Sequence, residues 1–311
     1  MDIKTQIKQK ALELGFDLVG VASAEPIEEA ERQFFMGWLE QGNAAGMEYL
    51  THNIDKRFNP ALLLEGAKSI ICVALSYKSA ETAHNGPCRI ADYALYEDYH
   101  DFIKARLRKL VDLMRLTNEG PIECKICVDS VPLAERSFAR RAGLGFIGKN
   151  HCLIHPELGA QLLLGSVITT LELPADEPTE KDYCGSCNRC IEACPMGALG
   201  QNGEYDCRKC ISYLTIEDKG DIPEIYHSKI KNRLFGCDNC LLACPYQTAA
   251  PARKNRDFQY FPQRNTLIPQ DILQWTQDDF LRLFKNSPLH RLGLERLKRN
   301  AGICQNNQLP T

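Results

Sequence analysis

The spacing of apolar positions divides the first half of the chain into alternating helices and strands. Ile3, Ile7, Ala11 and Leu14 recur at helical intervals, and an apolar strand is expected over Phe16–Ala22. Pro26 punctuates the chain, and Glu28–Gln41 returns to helical spacing. Ser69–Tyr77 (SIICVALSY) is an unbroken apolar, β-branched run and predicts a buried strand. Phe102, Ile103, Leu107, Leu110, Val111 and Met114 form a helical stripe. Lys125–Asp129 reads as a strand, Leu133–Ala142 as a helix and Gln161–Thr170 (QLLLGSVITT) as a strand. This mixture predicts an α/β or α+β domain over residues 1–172. A linker at Leu173–Thr179, with Pro174 and Pro178 among acids, opens a cysteine-rich region over 173–246. The remainder, 247–311, is polar, basic and largely helical.

Composition adds limits. The chain has 311 residues, 44% hydrophobic and 25% charged, as a soluble globular protein with a sizeable core should. No apolar run approaches the roughly 18 residues of a membrane span. The N-terminus has charges throughout and reads as an amphipathic helix, not a signal peptide, so the expectation is a cytoplasmic protein without a membrane partner. The net charge of −3 does not mark the whole chain as a nucleic-acid binder. Charge is uneven, however. Acids dominate from Glu172 to Asp206, and bases dominate from Ala250 to Thr311.

Fifteen cysteines change the picture. Cytosolic thiols stay reduced, so dense and regular cysteines indicate metal rather than disulfides. Cys184, Cys187, Cys190 and Cys194, followed by Pro195, fit C-x2-C-x2-C-x3-C-P. In that ferredoxin run the fourth cysteine ligates the other of two 4Fe–4S clusters. The pattern recurs at Cys237, Cys240, Cys244 and Pro245, with its first cysteine displaced upstream to Cys207 or Cys210. The crossover puts Cys184, Cys187, Cys190 and Cys244 on one cluster. Cys194, Cys237 and Cys240 belong to the other, with Cys210 the natural fourth and Cys207 its rival. A pair of structural zinc sites is the alternative, and the CxxCxxCxxxCP spacing argues against it. The lone Cys124–Cys127 pair falls in a strand candidate and reads as buried free thiols. No GxGxxG follows a strand, and no Walker A motif is present.

Beyond the ladder, the chain resembles the epoxyqueuosine reductases of the tRNA queuosine pathway. The resemblance is carried by GMEYLTHNIDKRFNP (Gly46–Pro60), DYH (Asp98–His100) and VDSVPLAERSFARRAGLGFIGKN (Val128–Asn150). CISYLTIE (Cys210–Glu217), FGCDNCLLACP (Phe235–Pro245) and SPLHRLGLERLKRN (Ser287–Asn300) complete it. It implies a nitroreductase-like cobalamin-binding domain followed by a bacterial two-[4Fe–4S] ferredoxin-like domain. It also implies an oxidoreductase related to reductive dehalogenases, acting on epoxyqueuosine in the tRNA anticodon loop in the last step of queuosine biosynthesis. The implied electron donor is a low-potential protein such as flavodoxin or ferredoxin, and the enzyme is expected to be a monomer. The resemblance favours Cys210 over Cys207.

Asp129 matches the family's proposed proton donor. Donation requires a protonated acid, so burial beside cobalamin is expected to raise its pKa. The alternative is a cap for the following helix, a role for which Ser130 competes. Further cobalamin contacts are expected at Arg57, His100, Arg136, Ser212 and Asp238. Each has an ordinary alternative: a surface ion pair for Arg57, a capping or core role for His100, and a solvated helix face for Arg136. Ser212 and Asp238 would instead satisfy backbone donors around the clusters. Asp98–His100 begins like D-x-H-x-x-G but has Ile103 where glycine is required. The cobalamin is therefore expected base-off, with no protein histidine on its lower face. Arg253, Lys254, Arg256, Arg291, Arg296, Lys298 and Arg299, with Lys229, Lys231 and Arg233, are candidate tRNA contacts. Val131 stands where the family usually has a small residue. Longer members carry further C-terminal helical repeats that grip tRNA. The rival readings are a dehalogenase-like reductase of a small molecule and a ferredoxin-type electron carrier.

Overall fold

The computed structural model describes residues 2–80, 86–179, 183–201 and 203–308. Glu180, Lys181 and Asp182 of the acidic stretch, and residues 309–311 of the basic one, lie outside the described residues. The strands are β1 (Leu18–Ser23), β2 (Ser69–Ser76), β3 (Arg89–Ile90), β4 (Cys124–Cys127), β5 (Phe146–Ile147), β6 (Leu153–Ile154), β7 (Leu162–Thr169) and β8 (Arg233–Phe235). Four of them form the main sheet in the order β1-β2-β7-β4, and every neighbouring pair is antiparallel. The fold is therefore α+β rather than α/β.

Both faces of this sheet are covered. Val21, Ile71, Val73, Leu75 and Val167 join a core that includes Ile7 and Ala11 of helix Ile3–Glu13. Helix Tyr99–Thr117 packs into the same core, and all six residues of its apolar stripe are buried. Ala22, Ile70, Cys72, Ala74 and Ile168 meet Phe138 and Ala139 of helix Glu135–Arg141 on the other face. Double coverage explains why β2 is one continuous apolar run, with all eight residues buried, instead of an alternating one. Gly165 in β7 lets the long helix come close: a Cβ there would lie 2.6 Å from Ile103 Cγ2.

The smaller pairings tie distant segments together. β3 pairs in parallel with β8, which leads into Cys237. β5 and β6 pair antiparallel on either side of the Gly148–Asn150 turn. Phe258, Leu267, Ile272, Phe280, Phe284 and Leu297 of the C-terminal stretch join the same core as the long helix. Arg264 is 2% exposed and donates to the carbonyls of Ala94, Tyr96, Leu283 and Asn286. Among the described residues, no helix is long and apolar enough to cross a membrane.

Several cations expected to face RNA are used internally. Arg296 donates to the carbonyls of Ile216, Arg291 and Leu292, and Arg299 to those of Leu214, Asp218 and Gly220. Arg253 bonds the Tyr96 hydroxyl and the Asn255 carbonyl, and Arg233 is buried. Carbonyls left by turns and helix ends need donors, and guanidinium groups supply several at once. Lys229, Lys231, Lys254, Arg256 and Arg291 remain exposed.

Candidate active site and cysteine centre

Helix Tyr99–Thr117 starts with a cap that also builds a site. Asp98 Oδ1 accepts from the His100 amide at 2.9 Å and from His100 Nδ1 at 2.6 Å. The other ring nitrogen, Nε2, lies 3.1 Å from Asp129 Oδ2, which also accepts from the Tyr99 hydroxyl at 3.0 Å. Burial works against a charged His100 ring, but the bonds to Asp129 and Asp98 outweigh it and the pKa rises above 6.5. The His100 hydrogen bond is the chief reason that Asp129's pKa is lowered, against the opposing effect of burial. The shift in this structure is downward, the reverse of the rise expected of Asp129 when buried beside cobalamin. The two carboxylates flanking His100 favour its charged form, and the His100 ring in turn favours the Asp129 anion. Burial, then the Asp129 charge, raises the Tyr99 pKa, so its hydroxyl stays a donor.

Asp129 is placed by backbone as much as by side chain. β4 ends at Cys127, two residues short of the predicted strand end, and Asp129 has φ +57°. A left-handed residue costs about 1–2 kcal/mol, although aspartate tolerates it better than most. Its amide donates to Glu135 Oε2 at 2.9 Å. Helix Glu135–Arg141 has Ala134 at its N-cap and no side-chain cap bond, so neither Asp129 nor Ser130 serves as its cap. Atoms crowd the Asp129 carboxylate, yet 60% of its side chain is open to water.

Around Asp129 lie groups from other segments. The Ala134 amide bonds the Arg57 carbonyl at 2.9 Å, bringing Arg57 to the same loop. The Arg57 guanidinium stands 5.6 Å over the Phe35 ring. Burial, then the charges of Glu217 and Asp129, pushes the Tyr49 hydroxyl up to about 12. Arg57 Nε and Glu135 Oε1 are buried without a hydrogen-bond partner among the described residues. Arg136 is exposed and donates to the His151 carbonyl. Asp238, at φ +61°, accepts from the Asp92 amide at 2.6 Å, and half-buried Ser212 lies two residues past Cys210. Sequence reasoning named Asp129, His100 and Arg57. It missed Tyr49, Tyr99 and Glu135 as members of the site, although all three lie inside stretches that carry the resemblance.

The cysteines fall into two neighbourhoods. Cys184 and Cys244 share an apolar nest with Phe146, Tyr183 and Tyr246. Burial, then the charge on Cys184, raises the Cys190 pKa, and Cys244 adds to the effect. Cys194 and Cys237 pack together around Met196 and Ile211. Burial raises Cys237 and Cys240, and the charge on Cys210 contributes to both. Cys207, by contrast, is 2% exposed, its amide donates to the Asn43 carbonyl at 3.0 Å, and burial pushes its thiol up to about 12. Lys149 Nζ reaches the first run, donating to Gly185 O at 2.8 Å, Cys187 O at 3.1 Å and Asn188 Oδ1 at 2.9 Å. Asn150 Nδ2 donates to Cys240 O at 3.3 Å in the second run. Gly148 permits this approach: a Cβ there would meet Ile154 Cδ1 at 2.4 Å and lie 3.5 Å from Cys184 Sγ.

A hydrogen-bonded Asp–His–Asp chain and a cysteine pattern spaced for two 4Fe–4S clusters point to an iron–sulfur oxidoreductase. The family model described as "Epoxyqueuosine reductase QueG, DUF1730" matches residues 57–130. A second, described as a 4Fe–4S double cluster binding domain, matches residues 183–247. The curated epoxyqueuosine reductase of Leadbetterella byssophila is 40% identical over 305 residues, covering 98% of this chain and 99% of that protein. The solved epoxyqueuosine reductase of Bacillus subtilis, described with its catalytic aspartate loop swung out of the active site, superimposes with a TM-score of 0.90 at 30% identity. That match covers 98% of this chain and 81% of that one. An epoxyqueuosine reductase solved with an epoxyqueuosine-modified tRNA-Tyr stem loop gives 0.89 at 30% identity, with the same coverage. The chain belongs to the epoxyqueuosine reductase family.

Proposed function

We propose that this protein reduces epoxyqueuosine in the tRNA anticodon loop to queuosine, with cobalamin and two 4Fe–4S clusters as cofactors. The observation that carries the reading is the Asp98–His100–Asp129 hydrogen-bonded chain, ending in a water-accessible Asp129 side chain, in a protein that also carries the two-run cysteine module. The net reaction consumes two electrons and two protons and releases the epoxide oxygen as water. His100 passes its proton through Nε2 to Asp129, and Asp129 delivers it to the departing oxygen. Asp98 holds the imidazolium in place, and Tyr99 orients the Asp129 carboxylate. A corrin with amide side chains suits the unpartnered buried Arg57 Nε. Arg57, His100, Asp129, Arg136, Ser212 and Asp238 would face it. When bound, cobalamin supplies the strongly reducing centre that the epoxide carbon requires. Both ring nitrogens of His100 are engaged by carboxylates, in accord with a base-off cofactor that takes no histidine from this chain.

Exposed Arg291 lies within electrostatic reach of Asp129 and suits a phosphate flanking the extruded nucleotide. Lys254 and Arg256 add cations for more distant phosphates. Flavodoxin or ferredoxin serves as donor to a monomeric, cytoplasmic enzyme. An electron carrier has no use for the relay, and a small-molecule dehalogenase has no use for the exposed cations. The test is incubation of cluster- and cobalamin-loaded protein with epoxyqueuosine-containing tRNA and a strong reductant, followed by nucleoside analysis. Queuosine is expected, together with an electron paramagnetic resonance spectrum lacking nitrogen hyperfine from a lower ligand. No queuosine with intact cofactors overturns the reading, and nitrogen hyperfine overturns the base-off state.

The relay makes a prediction about pH. His100 carries its proton below its raised pKa and loses it above. Turnover should therefore fall as pH rises through that value, which lies above 6.5. His100→Gln should remove this alkaline limb and lower kcat by about 10²-fold. An unchanged limb in the variant would assign it to another group.

A further inference from the structure

We propose that Glu135 is a positioning residue whose carboxyl latches the Asp129 amide and holds the acid against His100. The inference rests on the proton-donor reading of Asp129 and explains how that conformation is kept. The segment from Asp129 to Ala134 belongs to no helix or strand. Its local backbone bonds are tight two-residue ones, Ser130 to Val128, Leu133 to Val131 and Glu135 to Leu133. Its far end is tied where the Ala134 amide meets the Arg57 carbonyl. At its near end Asp129 adopts φ +57°, and the bond restraining its amide is the one to Glu135 Oε2. Without that acceptor the left-handed residue can relax toward extended backbone. The carboxylate then leaves Nε2 of His100 and the Tyr99 hydroxyl.

The chemistry of Glu135 fits a latch. A second carboxylate this close would repel Asp129. Burial, then the Asp129 charge, pushes Glu135 up to about 8, so the group is neutral at pH 7 and accepts the amide without that repulsion. Position supports the role as well. Glu135 starts the helix whose Phe138 and Ala139 are buried against the sheet, so the acceptor is anchored in the core while the loop it restrains is not.

The test compares Glu135→Gln, which keeps a neutral acceptor oxygen, with Glu135→Leu, which removes it. The primary readout is His100 itself, by titration of 15N-histidine-labelled protein with His100→Gln as the assignment control. Glu135→Leu should return the His100 pKa toward its ordinary value, because Asp129 no longer faces Nε2. Glu135→Gln should keep it raised. With the complete enzyme, Glu135→Leu should lose about 10- to 100-fold in kcat with little change in KM for tRNA, and Glu135→Gln should stay within a few-fold of the parent. Unchanged His100 titration in a folded Glu135→Leu protein overturns the proposal, and so does a Gln variant as impaired as the Leu one. Glu135→Met serves if the Leu variant does not fold. The titration needs neither cofactor nor substrate, so failure of the latch and failure of the proposed reaction give different results.

Discussion

Asp129→Asn should lower turnover on epoxyqueuosine-containing tRNA by about 10²- to 10⁴-fold, the usual contribution of a positioned general acid. Asparagine tolerates the left-handed backbone, keeps the amide bond to Glu135, and still offers an oxygen to Tyr99. It cannot pass a proton from His100. The variant should therefore bind cobalamin and fill its clusters normally, as followed by visible absorbance, while queuosine formation falls. Because the lesion is in proton delivery, kcat should drop with KM for tRNA nearly unchanged. An Asn variant within tenfold of the parent enzyme would remove Asp129 from the acid role and leave His100 to act through another group.

Cys210→Ser should cost the protein one cluster and, with it, activity, whereas Cys207→Ser should cost neither. Cys210 sits at the N-cap of helix Ile211–Ile216, and its charge is felt by Cys237 and Cys240. Cys207 is buried with its amide tied to Asn43. A missing thiolate leaves a cube with an incomplete ligand set, so iron content in Cys210→Ser should fall by about half and queuosine formation to background. Iron analysis with electron paramagnetic resonance of the reduced protein separates the two variants. The reverse pattern would exchange the two cysteines in the ligand set.

The legibility of the sequence follows the range of the interactions. The cysteine ladder is readable because its information is local spacing. Ser69–Tyr77 and the stripe from Phe102 to Met114 are readable because burial on two faces, or on one, writes itself into the order of apolar residues. The strand predicted to reach Asp129 stops at Cys127 because apolar periodicity carries no information on the sign of φ. Glu135 looks like any acid in a helix's first turn, and its bond to Asp129 exists only once the loop has folded back. Arg296 and Arg299 look like surface charge until the carbonyls of residues some eighty positions away arrive to meet them. His100 was one candidate among several, and Asp98 and Tyr99 acquire meaning only with it, through geometry that no spacing rule encodes.

The turn at Gly148–Asn150 has a bearing on electron flow. Lys149 holds the loop that carries Cys184 and Cys187, and the very next residue holds the carbonyl of Cys240. One peptide unit thus links the two cysteine runs across a gap in the chain, and the pairing of β5 with β6 keeps that unit stiff. Tunnelling rates fall steeply with separation. A spacing gauged by two adjacent residues is insulated from breathing in the long connection between Cys194 and Cys237. Only the segment that carries Cys210 then ties the connection between the runs to the cluster geometry.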